Sequence, residues 1–153
     1  MNTPHRAAER IATWFGCGRS PFAPGTVGTL GALPLFWLLR RVSWPAYLGA
    51  WCVLVGLGVW ASDRVSRASG TEDPPEVVID EVAGVLLALA LVRERGLGAK
   101  AASVLLFRLF DITKPGPIAA AERLRPPGVG IMADDLVAGL AAGLLARVVG
   151  RWP

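Results

Sequence analysis

Phe107-Arg108-Leu109-Phe110-Asp111-Ile112-Thr113-Lys114-Pro115-Gly116-Pro117 sets a cation, an acid, a hydroxyl and a second cation close together in a chain that is 53% hydrophobic. The pattern predicts a helix over residues 101–114, with Arg108, Asp111 and Lys114 recurring every third position along one side. Pro115 ends it, because the residue before a proline is pushed out of the α region and proline donates no hydrogen bond. Such a stripe on an oily helix is either a solvated face with an i,i+3 ion pair or one wall of a site. The sequence on either side decides between them.

The chain's 153 residues make one domain spanning 1–153. A mean hydropathy of +0.47 makes membrane association the first hypothesis to test. The formal charge of +4 comes almost wholly from arginine and favours an anionic membrane surface or a phosphate as partner. The basic residues are scattered without interleaved aromatics, so no nucleic-acid partner is expected. Cys17 and Cys52 lack metal-ligand spacing and read as packing thiols in a reducing compartment. Residues 1–16 carry His5, Arg6, Glu9 and Arg10 and no apolar core, so no cleavable signal peptide is expected.

Residues 4–15 predict an amphipathic helix with Ala7, Ile11 and Trp14 on its apolar face, lying at an interface or docked as an ordinary terminal helix. The stretch 16–29, with four glycines and two prolines, reads as neither helix nor strand. It is either a linker or an anion-binding loop feeding a helix at 29–39, with Thr26, Gly28 and Thr29 near the amino end. Segments 29–39 and 45–62 hold no charge. Eighteen helical residues span about 27 Å, close to the hydrocarbon core of about 30 Å, and Trp37, Trp44, Tyr47, Trp51 and Trp60 suit its interfaces. The alternative is the buried core of a bundle; the membrane is preferred. Residues 63–76 read as polar and end in a loop. An oily helix then runs from Val77 to about Val92, a loop covers 93–100, a short helix after Pro117 carries Glu122, Arg123 and Arg125, and a last helix runs from Ile131 to near Gly150.

Asp-x-Val-Ala-Gly occurs twice, at Asp80–Gly84 and Asp135–Gly139. In each copy an acid pair (Asp80-Glu81, Asp134-Asp135) opens an apolar helix, and a glycine one turn on permits close approach of another helix or a ligand. Capping would account for one acid at a helix start. Two adjacent carboxylates stay ionised only beside water, cations or a metal. All-oxygen ligands select a hard cation, Mg²⁺ before Ca²⁺. Beside Arg108, Lys114 and an anion-binding loop, such an ion describes a phosphoryl site. Cysteine, histidine and aspartyl-phosphate chemistries lack their residues: Ala23 stands where Cys17 would need its arginine, His5 is the only histidine, and Asp111-Ile112-Thr113 has one acid. Water activated by a metal remains.

Gly16-x-Gly18, Pro21, Ala23-Pro24-Gly25-Thr26-x-Gly28-Thr29, Ile79-Asp80-Glu81, Phe107-Arg108-x-Phe110-Asp111-x-x-Lys114-Pro115-x-Pro117-Ile118 and Gly128-x-Gly130-Ile131-Met132-x-Asp134-Asp135-x-x-Ala138-Gly139 together resemble the bacterial phosphatidylglycerophosphatase A family. The resemblance implies an all-α bundle of about six to seven helices and a Mg²⁺-dependent phosphatase acting on phosphatidylglycerophosphate. It further implies the cell inner membrane, with the site facing the cytoplasm. On this reading Asp80, Glu81, Asp134 and Asp135 hold the metal and position the water, and Asp111 is a fifth ligand or the general base. Arg108 and Lys114 bind the phosphate, with Thr26, Gly28 and Thr29 contributing from the loop. The rival readings are a phosphatase of another lipid or polyprenyl phosphate, and a small membrane protein whose acids are caps or an ion path.

Overall fold

Proline and glycine cut the apolar runs into helices, and these surround the most deeply buried one. In the computed structural model, which describes residues 3–149, the elements are α1 (Thr3–Ala12), α2 (Pro24–Leu39), α3 (Trp44–Ser69), α4 (Ile79–Leu91), α5 (Leu97–Thr113), α6 (Pro117–Ala121) and α7 (Pro127–Val149), with one 3-10 turn at Cys17–Arg19. Among the described residues there are seven α-helices and no strand, an all-α bundle.

Helix α4 is the axis. Ile79, Val82, Ala83, Val85, Leu86, Ala88 and Leu89 are all buried, as a helix that is apolar all round requires. α7 runs beside it in the same direction and in register. A Cβ added to Gly139 would collide with the Gly84 carbonyl, and one added to Gly143 would stand 2.7 Å from the Ala88 carbonyl oxygen. One turn before that crossing, Asp80 and Asp135 face each other. The two Asp-x-Val-Ala-Gly copies are therefore laid side by side, their glycines forming the contact between helices. α3 packs on α4 in the opposite sense: the Tyr47 hydroxyl donates to the Leu86 carbonyl (2.7 Å) and Trp51 Nε1 to the Ala83 carbonyl (3.0 Å).

Several boundaries differ from expectation. α2 begins at Pro24, inside the stretch expected to be irregular, because proline at a first helical position gives up a hydrogen bond that would be unmade anyway. α7 begins at Pro127 for the same reason, so Asp134 and Asp135 lie two turns into the helix and cannot cap it. α3 continues through the polar residues to Ser69, burying Val65 and Ser66 while Asp63 pairs with Arg67 (2.8 Å). α5 starts at Leu97 within the expected loop, and α6 stops before Glu122. α1 stops at Ala12; it buries Ala8 and Ala12 and leaves Ala7 exposed, because Trp14 and Phe15 take positive φ. Pro115 does end α5, and Lys114 takes a left-handed conformation there (φ 42°).

α3 and α7 are each long and apolar enough to cross a membrane. Their outer faces expose Leu48, Val53 and Leu57, and Leu140, Leu144 and Val148. The starts of α2, α4 and α7 and the end of α5 share one end of the bundle. At the other end Arg93 donates to the Arg40 and Val42 carbonyls and lies 5.2 Å from the Trp44 ring centroid.

Candidate active site

The parallel pairing of α4 and α7 brings Asp80, Glu81 and Asp135 together. Each offers a carboxylate oxygen, and the three oxygens lie within 4.8 Å of one another. Asp80 and Asp135 are buried and Glu81 nearly so. Asp80 Oδ1, Glu81 Oε2 and Asp135 Oδ2 are buried without a hydrogen-bond partner among the described residues. Buried carboxylates in apolar surroundings are normally paired. Oxygen-only donors, converging and unpartnered, fit a hard divalent cation.

α5 closes one side. Arg108 Nη1 lies 2.6 Å from Asp111 Oδ2 and 3.7 Å from Glu81 Oε1. Neither carboxylate is aligned to accept from Nη1, and Nε has no partner either, so the guanidinium keeps donors in hand. Asp111 also stands against Asp135. α2 closes the next side with its first turn. A Cβ on Gly25 would collide with Glu81 Oε1 and stand 3.1 Å from both Arg108 Nη atoms, so only bare backbone fits there. No side chain caps α2, and Val27 is the first residue whose N–H is taken, by the Ala23 carbonyl. The Gly25 and Thr26 N–H groups are thus unspent donors at the positive end of a helix dipole. Lys114 guards the rim, with Nζ 2.7 Å from Asp134 Oδ2 and 2.6 Å from Glu122 Oε1.

Burial pushes the Asp80 carboxyl well above the usual range, and the neighbouring Glu81 and Asp135 charges push the same way. Burial likewise lifts Glu81 to about 7; Asp111 adds to the rise, while a hydrogen bond from Asp80 and the Arg108 charge oppose it. Burial works against the Lys114 charge, but Asp134 and Glu122 outweigh it and hold the ammonium above its ordinary range.

The site differs from its expected composition in three ways. Of the four carboxylates expected to hold metal, Asp134 turns away: it accepts from the Asp135 N–H through Oδ1 and from Lys114 through Oδ2. Neighbours on a helix point about 100° apart; on α7 Asp135 looks into the α4–α7 seam and Asp134 towards Lys114, whereas on α4 both Asp80 and the longer Glu81 reach the site. Of the expected loop residues, Thr26 is exposed, the Thr29 hydroxyl is buried and donates to the Gly25 carbonyl (2.9 Å), and Gly28 packs on Val78. Gly28 therefore seats α2 on α4. Gly25, absent from the expected list, is the α2 residue against the acids; proline before glycine at a helix start was the available signal. Asp73 was also missed. It lies near Lys114, Glu122 and Asp111 at the rim, brought there by the loop between α3 and α4.

A family model described as Phosphatidylglycerophosphatase A matches residues 10–150. The chain belongs to the phosphatidylglycerophosphatase A family. It is 34% identical to phosphatidylglycerophosphatase A of Escherichia coli strain K12, over 94% of this chain and 84% of that one. It is 32% identical to the Haemophilus influenzae protein of the same name, over 93% and 88%. A Bacteroides thetaiotaomicron protein named "Putative phosphatidylinositol-3-phosphatase" is 39% identical over 99% of this chain and 98% of its own. No solved structure matches. As a member of the phosphatidylglycerophosphatase A family the chain is a phosphatase.

Proposed function

We propose that the protein hydrolyses phosphatidylglycerophosphate to phosphatidylglycerol and phosphate, with Mg²⁺ held by Asp80, Glu81 and Asp135, at the cytoplasmic face of the bacterial inner membrane. The family and two of its named relatives support the substrate. The observation that carries the chemistry is the set of three buried carboxylates, each with an unpartnered oxygen, beside an arginine whose Nε and Nη1 donate to no acceptor. The cation would supply neutralisation of phosphate oxygens and a more acidic water.

The chain's own residues do the rest. Arg108 and the Gly25 and Thr26 N–H groups bind the phosphate oxygens and are pre-aimed, because helices hold them. Lys114, already bridging Glu122 and Asp134, has one N–H left for the same phosphate. Asp111 orients Arg108 by its ion pair and, standing against Asp135, is placed to take a proton from the attacking water. Asp134 holds Lys114 in place.

Phosphate release from phosphatidylglycerophosphate in mixed micelles, with Mg²⁺ and with a chelator, tests this reading. Release that persists in chelator would remove the metal from the account. The Bacteroides relative's name makes phosphatidylinositol 3-phosphate the second substrate to assay. The arrangement of donors reads a phosphate monoester and not the alcohol it is attached to, so preference between the two lipids is a matter for direct competition.

A further inference from the structure

α2 and α5 meet at the acid end, where Gly25 lies against Arg108, and part further along. Between them, floored by Leu89 of α4, is a groove of about 330 Å³ walled by Leu33, Phe36, Trp37, Ala101, Val104 and Leu105. Its lining is almost wholly apolar, and its outer rim (Leu105, Leu97, Trp37) is exposed, so it opens sideways. On α5 it starts one turn from Arg108, at Val104; on α2, Leu33 is about 12 Å along the axis from Gly25. Lys100 closes the far end, its ammonium donating to the Arg95 carbonyl.

We infer that this groove receives one acyl chain of the lipid whose phosphate sits at Arg108 and Gly25. The inference rests on the lipid-phosphate reading above. The two helices that present the phosphate donors are also the groove's two walls, so a lipid bound by its headgroup has its chain delivered there. The groove has the size and apolar lining of a ligand cleft, and a phosphate site with no apolar continuation would not distinguish a lipid from a soluble monoester. Lys100 gives the groove a charged end, and desolvating a charge against methylenes is unfavourable, so chains that reach it are discriminated against. Chain occupancy adds binding energy remote from phosphorus, of the kind that positions the reacting group.

The test uses Ala101→Trp. Ala101 is exposed on the groove wall, so a larger side chain fills the groove without entering the core. Leu144→Trp, on the exposed face of α7, is the control for a general disturbance of the lipid-facing surface. Phosphate release is measured from dipalmitoyl and dihexanoyl phosphatidylglycerophosphate in mixed micelles. Ala101→Trp should lower kcat/KM for the dipalmitoyl lipid about tenfold, while changing the dihexanoyl lipid by less than about twofold. Leu144→Trp should leave the ratio of the two substrates as in the parent protein. An unchanged ratio in Ala101→Trp would overturn the inference and mean that bulk lipid alone fills the groove. No release from either lipid by the parent protein would instead defeat the substrate reading, an outcome recognisable before any variant is compared.

Discussion

Asp135 shows what one residue contributes. It faces Asp80, Glu81 and Asp111 from the far side of the seam, with an oxygen left unpartnered. Asp135→Asn should cut Mg²⁺-dependent phosphate release on the order of a hundredfold or more, since even outer groups around a metal are worth 10–100-fold. The same change removes a repelled carboxylate, so without metal the variant should melt at or above the parent's Tm, as a thermal melt would show. The pH dependence follows from Asp80 and Glu81. Both have folded-state pKa values raised above their unfolded ones, Glu81 to about 7. Their contribution to stability is therefore present at low pH, where they are protonated in both states, and is lost as pH rises through about 7. Metal-free protein should lose Tm as pH rises from about 4.5 to about 7, and added Mg²⁺ should restore more of it at the higher pH, because binding displaces those protons.

The element that matters most is the α4–α7 pair. Gly139→Ala forces a methyl into the Gly84 carbonyl, with no flexible side chain to give way. It should cost about 1–3 kcal/mol, read from denaturant melts, and carry activity down with it as the acids separate. Gly49→Ala in α3, where an added Cβ meets nothing, should be neutral or gain up to about 1 kcal/mol. The repeated Asp-x-Val-Ala-Gly marked both helices for close approach by another helix or a ligand; that the two approach each other is read only from the structure. The stop at Pro115 was legible as well, because proline's constraint is local. The starts at Pro24 and Pro127 were not: Pro-Gly reads as a breaker until the helix beyond it is known to pack. Nor could the choice between Asp134 and Asp135 be made from adjacent letters, because it depends on which side of α7 faces α4.

At the scale of the molecule, every group proposed to touch phosphate is at one end of the bundle, and the apolar flanks surround the rest. Cys52 is exposed about a third of the way along α3, on the lipid side in the proposed setting. With Cys17 replaced by serine, Cys52 in vesicles should resist a charged maleimide and react once the protein is unfolded in SDS; labelling in intact vesicles would put α3 in water. The helix lengths carry one more consequence. α3 and α7 reach across a hydrocarbon core, but α4, at 13 residues, is about 20 Å long against a core of about 30 Å. With Arg93 at the far end of α4 held at the opposite interface, the acids at its start fall short of the headgroup plane unless the surrounding leaflet dips to meet them. Hydrophobic mismatch thus becomes a control on turnover: reconstituted in phosphatidylcholines of graded chain length, the enzyme should work fastest in the thinnest bilayers that still hold it.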